Sequence, residues 1–187
     1  VVTPKPEFRQ SVRELAESQW REPVVVVYLD DVGPRYDVPG RRKDGTVKGK
    51  RLIRRFFWNI LRGTVGGVVN VVLSVAGGGV GNILARDGLV TGPENAQALP
   101  LVDAARKARS PWLVFSPSHV AIVETGSVFV DPADSPPPVI LWQAAAPLAP
   151  QVAPRNQRLT WPDGSTFVFR VSAEERPLLT ANPWSGG

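Results

Sequence analysis

Residues 158–171 read RLTWPDGSTFVFRV. Two runs, 156–161 and 165–171, flank Pro162-Asp163-Gly164, and apolar residues alternate with polar ones along both. Alternation with period two is the mark of half-buried strands, and a Pro-Asp-Gly tripeptide between them supplies a tight turn. The stretch is therefore a β-hairpin, and it places the carboxy-terminal half of the chain among antiparallel β structures.

Working back from the hairpin, the same period continues. Trp112 to Phe115 and Val120 to Glu124 read as strands around the turn Ser116-Pro117-Ser118. Ser127 to Val130 and Val139 to Trp142 read as further strands, separated by the loop DPADSPPP. Expected core residues here are Trp112, Ile122, Ile140, Trp142, Phe167 and Phe169. Beyond the hairpin, Ser172-Ala173-Glu174-Glu175 matches a helix capping box, with Pro177 following in the first turns.

The order LVFSPSHVAIVETG, then VILWQAAAPLAPQV, then RLTWPDGSTFVFRV, then a short terminal helix, resembles bacterial pleckstrin-homology-like and GRAM-like domains. The resemblance covers about residues 112–181, roughly 70 of 187. It implies an α+β chain whose carboxy-terminal half is an antiparallel, strongly bent sheet or partial barrel capped by a helix. Further strands would come from elsewhere in the chain, Val24 to Leu29 being a candidate. Three stretches follow from this reading: 1–47 with a helix and a strand, 48–109, and 110–187 as the β domain.

The amino-terminal stretch has apolar residues at helical spacing, Phe8, Val12, Leu15 and Ala16, ending near Trp20 or Arg21. Pro23 disfavours helical geometry at Glu22 and stops it. Val24 to Leu29, an unbroken β-branched run, reads as a buried strand. Asp44-Gly45 either closes a hairpin or sits in a mobile basic loop. After Arg86 to Gln97, a turn-rich connection, a helix is expected from Pro100 to about Arg109.

Charge is confined to one place. Residues 41–62 hold nine Lys or Arg against one acid, Asp44, for +8. The rest of the chain holds thirteen bases and sixteen acids, −3, within a total of +5. Lys48, Lys50, Arg51, Arg54, Arg55 and Arg62 are interleaved with Phe56, Phe57 and Trp58, and Leu52, Ile53, Ile60 and Leu61 complete a wide helical stripe. Residues 63–85 then run 23 positions without a charge, mostly Val and Gly. A basic, aromatic collar beside an uncharged run suits a membrane surface or core. It equally describes a buried segment with a solvated entrance. Read as a helix, the run aligns Gly63, Gly67 and Gly79 on one ridge and Gly66 and Gly78 on another, the small-residue rows that let helices approach closely. Read as a strand, Val68 to Val75 has strong β character.

Several chemistries are excluded or poorly served. The chain has no cysteine and one histidine, His119, so disulfides and thiolate metal sites are absent. The carboxylates have no spacing that suggests a metal, and no cofactor is expected. Ser116, Ser118, His119 and Asp131 or Asp134 are the only nucleophile set worth naming. Their hydroxyls are more simply explained as partners of turn amides. The adjacent acids Asp30-Asp31 and Glu174-Glu175 suit solvated turn and cap roles. The run Gly77 to Asn82 echoes a dinucleotide-binding turn, but Asn82 and Leu84 stand where a small residue is required.

The expected function is a non-enzymatic, membrane-associated adaptor or scaffold. Its collar would bind an anionic membrane surface or other polyanion, and its β domain a protein partner. The alternatives are a soluble nucleic-acid binder using the same bases, or a subunit that self-assembles through the Gly/Val run into a homo-oligomer. No amino-terminal segment has the order of a signal peptide. The expected location is cytoplasmic, peripheral to or partly inserted in the inner membrane face.

Overall fold

The computed structural model describes residues 3–30, 32–48 and 88–181. Within them the chain is α+β, with three helices and two sheets that are mostly antiparallel. The helices are α1 (Pro6–Trp20), α2 (Ala98–Lys107) and α3 (Arg176–Thr180). The strands are β1 (Val25–Tyr28), β2 (Arg35–Asp37), β3 (Leu89–Thr91), β4 (Pro111–Phe115), β5 (His119–Glu124), β6 (Val139–Ala145), β7 (Gln151–Ala153), β8 (Arg158–Thr160) and β9 (Thr166–Val168).

The first sheet runs β1-β4-β5-β6 and is antiparallel throughout. β1, β4 and β5 are buried on both faces, which explains why β1 and β4 are unbroken apolar runs rather than alternating ones. On one face Val26, Tyr28, Trp112, Val114, Ala121 and Val123 meet Phe8, Val12, Ala16 and Trp20 of α1. Those four helix residues recur every four positions, and each large one contributes on the order of 1.5–3 kcal/mol on burial. A helix of 15 residues is marginal alone, so this stripe is what holds it. On the other face Val25, Val27, Leu113, Phe115, Val120 and Ile122 join α2 and the second sheet in the larger core.

The second sheet runs β2-β3-β9-β8-β7. Its pairs are antiparallel except β2 with β3, which is parallel. One row, Tyr36–Val90–Phe167–Leu159–Val152, faces the core; its neighbour, Arg35–Leu89–Val168–Arg158–Ala153, faces outward. The hairpin over 158–168 forms as the turn chemistry requires. Trp161 N–H donates to the Ser165 carbonyl at 2.9 Å, and Gly164 takes φ +80°. The turn has a second task. Asp163 and Ser165 side chains accept the Gln97 and Ala98 N–H groups at 2.8 and 3.1 Å, capping α2 from across the sheet.

Residues 24–29 do supply a strand to the first sheet, antiparallel to β4. Trp112, Ile122, Phe167 and Phe169 are buried, while Ile140 and Trp142 are only partly so. The reason lies in a bulge of β6, where Val123 pairs with Ile140 and Ile122 with Trp142. Leu141 is the extra residue, so Ile140 and Trp142 lean on opposite cores at the sheet margin.

Three local expectations are corrected. Ser127 to Val130 is a turn, not a strand: Gly126 at φ +75° reverses the chain, Val128 is buried, and Phe129 is 79% exposed. The connection 86–97 contains β3, whose three residues are too short to show a period. Ser172 to Glu175 is not a capping box. The helix starts at Arg176, with Pro177 in its first turn, and the Glu175 side chain is committed elsewhere.

That commitment closes the margin of the first sheet. Glu175 is 2% exposed and grips the Arg9 guanidinium through both oxygens, at 2.9 and 2.5 Å. It also accepts the Tyr28 N–H at 2.9 Å, while Arg9 donates to the Val26 carbonyl at 2.8 Å. Two outward backbone groups of β1, an edge strand, are thereby satisfied by side chains. The expectation of solvated roles for Glu174-Glu175 is corrected for Glu175. Asp30 is exposed, as a turn acid should be.

Candidate functional site

Three arrangements could carry function. The first is the hairpin where the basic window begins. An isolated antiparallel bridge joins Arg41 and Val47, and Gly45 takes φ +84°, so Asp44-Gly45 does close a hairpin. Arg41 holds it down through a two-pronged pair with Asp103 of α2, at 3.1 and 3.0 Å. The guanidiniums of Arg41 and Arg106 each lie 5.7 Å from the centre of the buried Tyr36 ring. Burial is the main reason its phenol is pushed up from the usual range. With Arg41 engaged, Arg42, Lys43 and Lys48 are left exposed.

Of the expected lipid- or anion-binding residues, Lys48 is the one placed here. Lys50, Arg51, Arg54, Arg55, Phe56, Phe57, Trp58 and Arg62 lie outside the described residues, as do Gly63, Gly66, Gly67, Gly78 and Gly79. The flanks of that segment are held. Lys48 N–H donates to the Gly40 carbonyl and Arg35 N–H to the Gly88 carbonyl, both at 2.8 Å. Because β2 and β3 are neighbours in one sheet, the basic and Gly/Val residues are an insertion between two paired strands. Among the described residues no helix is long and apolar enough to cross a membrane.

The second arrangement gathers Ser116, Ser118 and His119 with a residue the sequence did not connect to them, Glu22. The Ser118 hydroxyl donates to Glu22 and lies 2.7 Å from His119 Nδ1. The Ser116 hydroxyl oxygen accepts the N–H groups of Ser118 and His119, at 3.3 and 3.0 Å. Trp20 stacks on His119 with ring centres 4.9 Å apart. The Ser118 hydroxyl, then that of Ser116, holds the Glu22 carboxyl below its usual range. Chemically this is a tie between the end of α1 and the β4–β5 turn. The two amides that could stabilise an oxyanion point at Ser116 instead. Asp131 and Asp134 take no part: Asp131 caps a short 3₁₀ turn, Pro132–Asp134, and pairs with Lys5. Among the described residues no group of acids and histidine is placed to hold a metal.

The third is a cleft of about 760 Å³ beside that cluster. It is lined by Val25 of β1 and by Phe115, Ser116 and Pro117 at the end of β4. Ala146, Pro147, Ala149 and Pro150, then β7 and Pro154–Asn156, and Leu179 and Thr180 of α3 complete the lining. Its size is that of a ligand site. Sequence reading missed it because its lining comes from four separate segments. Compared with protein-family models, with curated proteins and with solved structures, the chain matches none.

Proposed function

We propose that this chain is a non-enzymatic adaptor: the window 41–62 attaches to an anionic membrane surface, and the folded body presents a surface to a protein partner. The observation that carries the reading is the confinement of +8 to 22 consecutive residues, in a chain otherwise at −3. Each basic residue near an anionic surface contributes on the order of 1 kcal/mol. Phe56, Phe57 and Trp58 add apolar burial at the interface, where aromatic rings are favoured. The exposed Arg42, Lys43 and Lys48 stand at the start of this window, on a hairpin anchored by Arg41 and Asp103.

In this reading the body is pleckstrin-homology-like. Two largely antiparallel sheets and a terminal helix packed against β1 support that description. The parallel β2–β3 pair departs from it. From residue 110 onward the chain carries four bases, Arg155, Arg158, Arg170 and Arg176, so headgroup attraction is assigned to the window and not to the sheets. The hydroxyls beside His119 are already engaged, which supports a non-enzymatic role.

Flotation with anionic vesicles, set against retardation of single-stranded nucleic acid and both at graded salt, tests the proposal. Vesicle binding that weakens as salt rises is expected. Retardation of nucleic acid without flotation would replace the reading with a polyanion binder whose Phe57 and Trp58 stack on bases. Light scattering on the purified chain reports whether the Gly/Val run drives self-association.

A further inference from the structure

The cleft borders Gln151, Val152 and Ala153, three consecutive residues that make up β7. Successive strand residues point to opposite faces of a sheet, so a cavity bordering all three runs along the strand's edge. Among the described residues β7 ends the second sheet, with β8 as its partner there. The margin along the cleft therefore carries the backbone donors and acceptors that β8 does not use. The lining also includes Val25, Phe115 and Leu179, apolar residues of the larger core. Among the described residues, Arg155 is the one ionisable side chain on the lining, and it is exposed.

We infer that the cleft takes an extended peptide of a protein partner, added as a further strand on β7, with an acidic side chain of that peptide meeting Arg155. Backbone hydrogen bonds to the edge hold such a peptide in register, and the apolar part of the lining receives its alternate side chains. The single positive charge sets the sign of the partner. The inference names the partner surface of the adaptor reading and rests on that half of it.

A pool of ten-residue peptides built from Val, Ile, Thr, Glu and Lys, capped at both ends, is the probe. The full chain should retain peptides rich in Glu, and amide exchange should slow over residues 151–153. Arg155→Glu should weaken the retained Glu peptides on the order of tenfold, because an attraction becomes a repulsion. The same variant should now retain Lys-rich peptides. Circular dichroism confirms that it folds, and its flotation with anionic vesicles should be unchanged. Failure to retain any peptide overturns the inference, as does retention indifferent to the charge reversal, or slowed exchange confined to other strands. Peptide retention without vesicle flotation keeps the cleft assignment and removes the membrane half alone.

Discussion

Glu175 and Glu22 show how much a single carboxylate decides. Glu175 serves Arg9 and the Tyr28 N–H at once, in a nearly dry position. Replacing it by Ala strands a guanidinium that is itself 18% exposed, and losing one member of a buried pair costs about 3–5 kcal/mol. Urea unfolding of Glu175→Ala should show that loss with an unchanged slope; a loss under about 1 kcal/mol would mean that water replaces the pair. Glu22 acts through pH. Its carboxyl titrates below the ordinary value of 4.5 because the Ser118 hydroxyl binds the charged form. A group depressed on folding contributes stability above that value and loses it as pH falls through the folded one. Glu22→Gln should therefore melt lower than the parent at pH 6, and the gap should narrow as pH falls below about 4.5. Melting curves at several pH values check this, and a constant gap would refute it.

The turns divide by what surrounds them. Gly164 and Gly45 both lie in the left-handed region, at φ +80° and +84°. A side chain there costs about 1–2 kcal/mol by itself. At Gly164 a Cβ would meet nothing within 4 Å, so Gly164→Ala should lose that conformational cost and little else. At Gly45 the same atom would stand 2.5 Å from the Tyr36 ring and 2.6 Å from Arg106. Gly45→Ala should be the more damaging variant, and its melting point should fall further than that of Gly164→Ala. Equal losses would mean that the hairpin shifts off Tyr36 without penalty. Both turns carry an Asp-Gly pair, but in sequence only Asp163-Gly164 reads as a hairpin without an alternative. Their unequal tolerance was not legible there, because it comes from α2 and β2 packing against one of them.

The adaptor reading concerns the molecule as a whole, since it separates a body near neutrality from a charged insertion. Changing Arg51, Arg54 and Arg55 together to Gln should weaken binding to anionic vesicles steeply at low salt. The loss should shrink at high salt, where screening lengths fall to about 8 Å or less. Phe57→Ala with Trp58→Ala should cost the same at every salt, because apolar burial is not screened. Flotation of each variant, with circular dichroism to confirm folding, is the check. Equal binding by all folded variants would end the membrane proposal.

What the sequence determined alone was whatever neighbours within a few positions decide. The end of α1 before Pro23, the buried run of β1, the hairpin at Asp163-Gly164 and the clustering of charge all belong here. Period, turn geometry and charge are local, so they are written in order along the chain. Tertiary structure alone decided the rest. It paired β2 with β3 in parallel, made a strand of three residues in a turn-rich stretch, and brought Glu22 to Ser118 across 96 positions and Arg9 to Glu175 across 166. A carboxylate beside turn residues looks the same in sequence whether it meets water or a guanidinium. Only the packing of α1 and α3 around β1 removes the water and makes the difference.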